Sequence, residues 1–402
     1  MASAIRPSPT SRSARRKFSL DFSVTGLVYC TMMIFMGAAA VNSQANLLFG
    51  VFGLMIGILI ITTAINWVMP RRLSIARNLP ENGVVGEPLA FSYEVRNQKK
   101  FWPSLSVTIS ELDSLDAFVR QPHAYLLHVA PKNTATIPAE LIPKRRGLHQ
   151  LDRFQTSTSF PFGFIKRAVE RSQTDTLLVY PPIGIVSGKL LTLFRSAERS
   201  GSSMRPRRGG MDEFYGLKEY RTGENPRYIY WRRSAHIGAL ISKEMTHVSP
   251  PRLLLLVDTY VGSEPDSQRR ANVERVIAMT ASIIDKSLAM GLSLGMIARS
   301  SGWVHVPVNR GKRHRRELLH ILARLPLNTQ YDHQALTDEA FAEQESGTTL
   351  VLLSPTEVAQ GLGDHARGAT VVISPATPHM MSWFTFDPRV DFAHCMPLEQ
   401  EV

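Results

Sequence analysis

Ser234 and His236 lie two residues apart beside Arg232 and Arg233, and Glu244 and His247 follow three residues apart. A serine nucleophile needs a base within hydrogen-bond reach, and the base needs a group to orient it. Residues two apart on a helix face different sides, so His236 does not serve Ser234. Glu244 and His247 fall in a strand-like run, where that spacing builds no acid–base pair. The chain has no His-Glu-x-x-His and no Gly-rich phosphate loop with its Lys, and no Gly-x-Ser-x-Gly elbow is expected. No catalytic residue is assigned, and no cofactor. A hydrolase of unknown substrate stands as an alternative reading.

Asp258 ends the apolar run Arg252–Asp258, "RLLLLVD". An acid at the end of a buried parallel strand is well placed to hold a hard cation, given further oxygen ligands. The next residues are Thr259, Tyr260, Val261 and Gly262. In an extended segment, Tyr260 and Gly262 share the face of Asp258, and neither offers an aliphatic hydroxyl there. Asp258 is therefore expected to hold a turn, as a degenerate metal position without a metal.

The densest stretch is Glu219–Gly238, "EYRTGENPRYIYWRRSAHIG". Its Thr-Gly-Glu-Asn-Pro turn is suited to starting a helix, with Glu224 or Asn225 as cap and Pro226 in the first turn. The reading pairs Arg221 with Glu224, and it sets Arg227 and Trp231 one turn apart on one helix face, with Ile229 nearer the core. Arg, Tyr and Trp concentrate where proteins bind one another. Tyr220, Arg221, Gly223, Glu224, Arg227, Trp231 and Ser234 are thus the candidate site, as an architectural clamp that also presents a recognition face.

These residues need elements to position them. The chain has 402 residues, a net charge of +12 and two cysteines, Cys30 and Cys395. That length suggests two or three domains, and two cysteines build no disulfide framework or zinc site. After a basic segment (residues 1–23, with Arg6, Arg12, Arg15, Arg16 and Lys17) come two apolar runs, Val24–Val41 and Leu47–Met69. Each is long enough to cross a hydrocarbon core of about 30 Å. Together they predict a transmembrane hairpin over residues 24–69, with Trp67 as an interfacial anchor. Basic residues flank both outer ends, including Arg71, Arg72 and Arg77, while the loop Asn42–Asn46 has none. Positive flanks stay inside, so both termini and the bulk of the chain are expected in the cytoplasm, on a multi-pass inner-membrane protein.

Residues 72–182 alternate apolar and polar between turn signals, which predicts a small β-sandwich. Residues 183–210 read as a linker, most clearly in the basic, Gly- and Ser-rich part from Ser196 to Gly210. Residues 211–375 then alternate buried-type strands with amphipathic helices, the pattern of a doubly wound, Rossmann-like α/β sheet. Residues 376–402 read as a tail.

Taken together, the run from Glu219 followed by "LLLLVD" resembles the signature of the bacterial domain-of-unknown-function family fifty-eight. That signature is roughly Tyr-x-x-Gly-Asp-x-x-Arg-x-Ile-x-Trp followed by Ser-Ala-Arg. Tyr220, Gly223, Arg227, Ile229, Trp231, Ser234 and Ala235 match it, while Glu224 replaces the Asp and His236 the Arg. Ser159–Ile165 resembles the family's Asp-Pro-Phe-Gly-Leu segment. The resemblance implies a membrane-anchored protein with a von Willebrand factor A-like domain. It also implies a MoxR-type AAA+ ATPase as partner, other membrane or envelope proteins as further partners, and a role in assembly or maturation of other complexes. A nucleic-acid-binding membrane protein is a further alternative, resting on Arg205, Arg207, Arg208 and the cluster Lys312, Arg313, Arg315 and Arg316. The membrane flanks already account for part of the basic charge, so this is the weakest reading.

Overall fold

The computed structural model describes residues 18–113, 115–201, 208–246, 252–262, 266–300, 302–330, 333–343, 348–357 and 370–397. Most of the basic N-terminal segment and the linker residues 202–207, with Arg205 and Arg207, lie outside them. The chain divides into two units. One runs up to Tyr180 and takes in the residues from Arg389 onward; the other is Pro181–Pro388.

The first unit begins with strand β1 (Phe18–Phe22), followed by helices α1 (Val24–Ser43) and α2 (Asn46–Val68). Both helices are long and apolar enough to cross a membrane, and few of their residues are buried within the protein. Ser23 caps α1 by accepting the Gly26 N–H. Side chains from a loop and a strand later in the chain cap the other end of the pair. Lys99 Nζ donates to Met69 O at 2.9 Å and Pro103 O at 3.2 Å. Arg167 donates to Trp67 O at 2.6 Å. Both place cations on carbonyls that a helix C-terminus leaves unsatisfied.

The strands then follow the expected alternation: β2 (Leu73–Asn78), β3 (Asn82–Val84), β4 (Leu89–Asn97), β5 (Ser104–Glu111), β6 (His123–Val129), β7 (Thr134–Leu141), β8 (Gly147–Thr158) and β9 (Ile165–Tyr180). One sheet has the order β1-β9-β8-β5-β6, with β3 also on β9; the other is β2-β4-β7. Their inner residues, among them Val95, Ile109, Ile137, Leu151 and Leu177, form one core. Arg77 crosses that core. It donates to Glu111 at 2.5 Å, to Asp175 at 2.9 Å and to the Leu151 carbonyl at 2.7 Å, and Tyr93 hydroxyl donates to Glu111.

Two segments join this unit that the sequence pattern assigns elsewhere. Phe18–Phe22, read as part of the basic N-terminus, pairs antiparallel with β9. Residues after Arg389, read as tail, return to the same core, where Cys395 is buried and its carbonyl accepts the Arg146 N–H. Neither segment is long enough to show a period of its own, so only tertiary pairing reveals them.

The second unit opens with β10 (Ile185–Val186), α3 (Gly188–Gly201), β11 (Arg208–Glu219), α4 (Trp231–Ile237) and β12 (Ile241–Thr246). Helix α3 occupies much of the expected linker and packs against strands of this unit, with Leu190 and Phe194 fully buried. Its apolar residues lie at helical spacing in the N-terminal half, and the Gly/Ser composition beyond Ser196 obscured it. The rest comprises β13 (Arg252–Val257), α5 (Ser267–Ala289), β14 (Ser293–Arg299), β15 (Trp303–Asn309), α6 (Lys312–Arg324), α7 (His333–Glu343), β16 (Thr348–Leu353), β17 (Thr370–Ile373) and β18 (Phe384–Thr385). Strand β18 pairs with β10.

The main sheet has the order β15-β14-β13-β16-β17. All its neighbouring pairs are parallel except β14–β15. Leu254 and Leu256 meet Leu336 and Ala340 of α7 on one face, and helix α5 packs against β13 and β14. Every residue from Leu253 to Val257 is buried. That is why β13 reads as an unbroken apolar run rather than an alternation.

Candidate functional site

From β13 the chain steps outward to β14 and β15, then crosses back to β16 on the other side of β13. The winding therefore reverses between β13 and β16, and open α/β sheets form their crevice beyond the strand ends at such a point. Asp258 follows β13 there and Ser354 follows β16. The Ser354 hydroxyl donates to Asp258 Oδ2 at 2.8 Å, and Asp258 Oδ1 accepts the Tyr260 N–H at 2.9 Å. The Asp258 N–H reaches Leu353 O at 2.9 Å. Asp258 thus closes an Asx-type turn and ties the two central strand ends together. Gly262 takes a φ of +84° just beyond, a conformation that favours glycine. Among the described residues, no three His, Cys, Asp or Glu side chains form a metal-type cluster.

The signature segment forms a separate device. Strands β11 and β12 make an antiparallel hairpin, and residues 220–240 are inserted between them. Tyr220 N–H donates to Leu240 O and Tyr230 N–H to Ile241 O, both at 2.8 Å. Ile229 bridges Ser242. The Tyr220 hydroxyl donates to Glu224 O at 2.9 Å, Gly223 takes a φ of +102°, and Asn225 accepts the Arg227 N–H as the cap of a single 3₁₀ turn, Pro226–Tyr228. Ser234 is buried. Its hydroxyl accepts the Ile241 N–H at 2.8 Å and donates to Tyr230 O at 3.1 Å.

Three expectations change here. Glu224 pairs with Lys218, at 2.7 Å, rather than with Arg221. The hydrogen bond from the Lys218 ammonium holds the Glu224 carboxyl below its ordinary range. Lys218 precedes the turn on β11, and the hairpin pairing brings it back; the sequence offered only the nearer Arg221. Second, Arg227 and Trp231 do not share a helix face. Ile229 is extended, so the 3₁₀ turn and α4 are separate pieces. Third, Trp231 takes no part in the expected clamp: it is 64% exposed and packs into no core. In α4 only Ser234 is buried.

The segment therefore divides its labour. Tyr220, Gly223, Glu224, Asn225, Ile229 and Ser234 hold the backbone, while Arg221, Arg227, Trp231, Arg232, Arg233 and Ile237 face out. Leu217 and Leu240 are also exposed beside them. Arg232, Arg233, Ile237, Leu217 and Leu240 were not singled out from the sequence. The signal for them is that "WRRSAHI" lacks the three-to-four-residue apolar repeat of a packed helix.

Among the described residues, the Ser234 hydroxyl is engaged by backbone and His236 is exposed, so the two form no nucleophile–base pair; His247 lies outside the described residues. Gly291–Gly295 spells Gly-x-Ser-x-Gly, a match that the sequence expectation of no elbow passes over. Ser293 opens β14 after helix α5, a helix-to-strand junction at the N-terminal end of the strand. A nucleophile elbow requires the reverse order and the opposite end.

The second unit is thus an α/β domain carrying a projecting, stabilised hairpin. Residues 216–359, which include both features, match the family model described as "Protein of unknown function DUF58". The chain is also 25% identical over 192 residues to the uncharacterized protein YeaD of Bacillus subtilis (strain 168), covering 48% of this chain and 46% of that protein. The chain thus spans about half the length of the curated relative it matches.

Proposed function

We propose that this chain is a membrane-anchored protein-interaction module whose hairpin, led by Trp231, captures a protein partner. One observation carries the reading: Trp231, Ile237 and Leu240 are 64%, 51% and 47% exposed on a short element beside Arg232 and Arg233. An exposed Trp grouped with other apolar side chains beside two arginines forms a patch, and protein-binding hot spots are rich in Trp and Arg. The backbone bonds from Tyr220, Ile229 and Ser234 support the reading, because a pre-organised surface loses less entropy on binding.

The family resemblance suggests a MoxR-type AAA+ ATPase as the partner and assembly or maturation of other membrane or envelope complexes as the process. The order β15-β14-β13-β16-β17, with one antiparallel edge strand, is compatible with a von Willebrand factor A-like domain. The two apolar helices and the basic flanks support an inner-membrane, multi-pass placement with the bulk of the chain in the cytoplasm.

The test is photo-crosslinking in cells, with a benzophenone amino acid at position 231 of the full chain. An AAA+ ATPase subunit among the adducts is the expected result. Adducts to nucleic acid would replace this reading with the nucleic-acid alternative. Adducts confined to lipid, or none, would remove the hairpin as a protein-docking surface.

A further inference from the structure

A groove of about 600 Å³ runs along the end of α2 where strands β1 and β9 meet it. Its walls are mostly apolar, with Leu20 from β1, Leu59, Ile60 and Ala64 from α2, and Ile165 from β9, and α2 adds the polar Thr63 and Asn66. At one end stand Trp67 and Arg167, and Arg71 follows just beyond α2. The Arg71 guanidinium lies over the Trp67 ring at 3.5 Å and that of Arg167 at 5.8 Å. Two like charges therefore share one indole at the mouth of an apolar groove.

The pairing register fixes the surroundings. Leu20 pairs with Arg167 and Phe22 with Ile165, so Leu20, Phe22, Ile165 and Arg167 share a sheet face. Asp21 pairs with Lys166 on the opposite face, away from the groove. Leu20 and Phe22 are 52% and 65% exposed and form an apolar lip. Arg167 is 8% exposed, and both burial and the neighbouring Arg71 charge push its pKa down. The Arg167 guanidinium also donates to the Trp67 carbonyl.

A tail-shaped apolar groove ending in two cations beside an interfacial Trp matches one ligand chemistry. The ligand has a phosphodiester anion at the headgroup and an acyl chain behind it. We infer that this groove binds an anionic glycerophospholipid, with its phosphate at Arg71 and Arg167 and one acyl chain between α2 and β1. The inference rests on the membrane placement proposed above. It would make the base of the β module a reader of lipid charge, seating the first unit at a defined depth and orientation against the bilayer.

The experiment uses the full chain purified in mild detergent and examined by native mass spectrometry. Phosphatidylglycerol and phosphatidylcholine of equal acyl composition are titrated in. The wild type is expected to retain one phosphatidylglycerol in preference to phosphatidylcholine. Arg71→Gln, which leaves the Arg167–Trp67 bond in place, should cut that preference roughly fivefold, as expected for one guanidinium at a headgroup. Arg71→Gln with Arg167→Gln should abolish it. Glycerol 3-phosphate, the soluble headgroup, should not compete, because the groove contributes through the chain. Equal retention of both lipids by the wild type, or an unchanged preference in Arg71→Gln, would overturn the inference. Alkaline extraction of membranes from the same cells separates the two readings. A chain released by carbonate overturns the membrane placement itself, whereas a retained chain without lipid preference overturns only this site.

Discussion

The Ser234 hydroxyl stands 2.8 Å from the Ile241 backbone nitrogen and 3.1 Å from the Tyr230 carbonyl, joining both arms of the inserted segment at one buried atom. A Ser in that position is a backbone substitute, completing a ladder that the insertion interrupts. Ser234→Ala leaves the Ile241 N–H buried without that acceptor, a cost of about 1–3 kcal/mol. The expected readout is a lower melting temperature and faster hydrogen exchange at Tyr230 and Ile241, with partner capture reduced in proportion. Full folding and full capture with loss of all cellular activity would point to chemistry at Ser234 and sink the structural assignment.

Trp231 is the opposite case. With its ring mostly in solvent, Trp231→Ala removes little packing, and stability should change by no more than about 0.5 kcal/mol. If the ring is a hot spot, capture of the partner weakens by about 2 kcal/mol, roughly thirtyfold. Arg233→Ala should behave similarly with a smaller effect. Thermal melts and a binding titration on the same samples check this, and a large melting shift with unchanged affinity would restore the clamp reading for Trp231.

How far the sequence carried depended on the range of the interactions. The two apolar helices, the β module, strands β13 to β17 and helices α5 and α6 were legible because their periods are local, whereas α7 and β18 were not read. Asp258 as a turn residue was legible too, since the missing aliphatic hydroxyls at 260 and 262 are read directly. Lys218 as the partner of Glu224 was not, because the hairpin folds it back from β11. Ser354 was missed for the same reason: its link to Asp258 spans a whole crossover. A cue existed, since Ser354 ends β16 as Asp258 ends β13. The exposure of Trp231 depends on how α4 lies on the hairpin, where only Ser234 is buried, and residue type alone does not give that.

At the switch point, Asp258→Asn keeps an oxygen for the Tyr260 N–H, whereas Asp258→Ala removes the acceptor of both Tyr260 and Ser354. Asp258→Ala should therefore cost on the order of 2 kcal/mol, and Asp258→Asn clearly less. Titration calorimetry with Mg²⁺ is expected to show no strong site, because both carboxylate oxygens already accept hydrogen bonds and positions 260 and 262 offer no aliphatic hydroxyl. A micromolar Mg²⁺ affinity abolished by Asp258→Ala would contradict this.

In the β module, Arg77 and Glu111 have side chains that are 0% and 1% exposed. Burial pushes the Glu111 carboxyl up, against the attraction of Arg77. Removing one partner strands the other charge, so Arg77→Met alone should destabilise by on the order of 3 kcal/mol or more. Glu111→Gln added to it should recover much of that loss, because the stranded carboxylate is gone while the Tyr93 hydroxyl keeps an acceptor. Chemical unfolding of Arg77→Met, Glu111→Gln and the double variant gives the coupling directly, and additive losses would show that the pair does not act as a unit.

Lys99 gives a prediction with a definite direction in pH. Its ammonium is buried against the Met69 and Pro103 carbonyls at the end of α2, and burial pushes its pKa from 10.5 down to about 8. Below about pH 8 both the folded and unfolded chains carry the proton, and the folded state bears the whole cost of the buried charge. Between about 8 and 10.5 the unfolded chain binds more proton than the folded one, so stability rises with pH across that window. Above it, both forms are neutral and the difference is constant. The expected gain from this group is a few kcal/mol at most, since the carbonyls it touches favour the charged form. Lys99→Met has no proton to lose there, so its stability curve should be flatter than the wild type between pH 8 and 10.5. Comparing the two in the same detergent cancels the other titrating groups, and parallel curves would show that Lys99 keeps an ordinary pKa at the helix end.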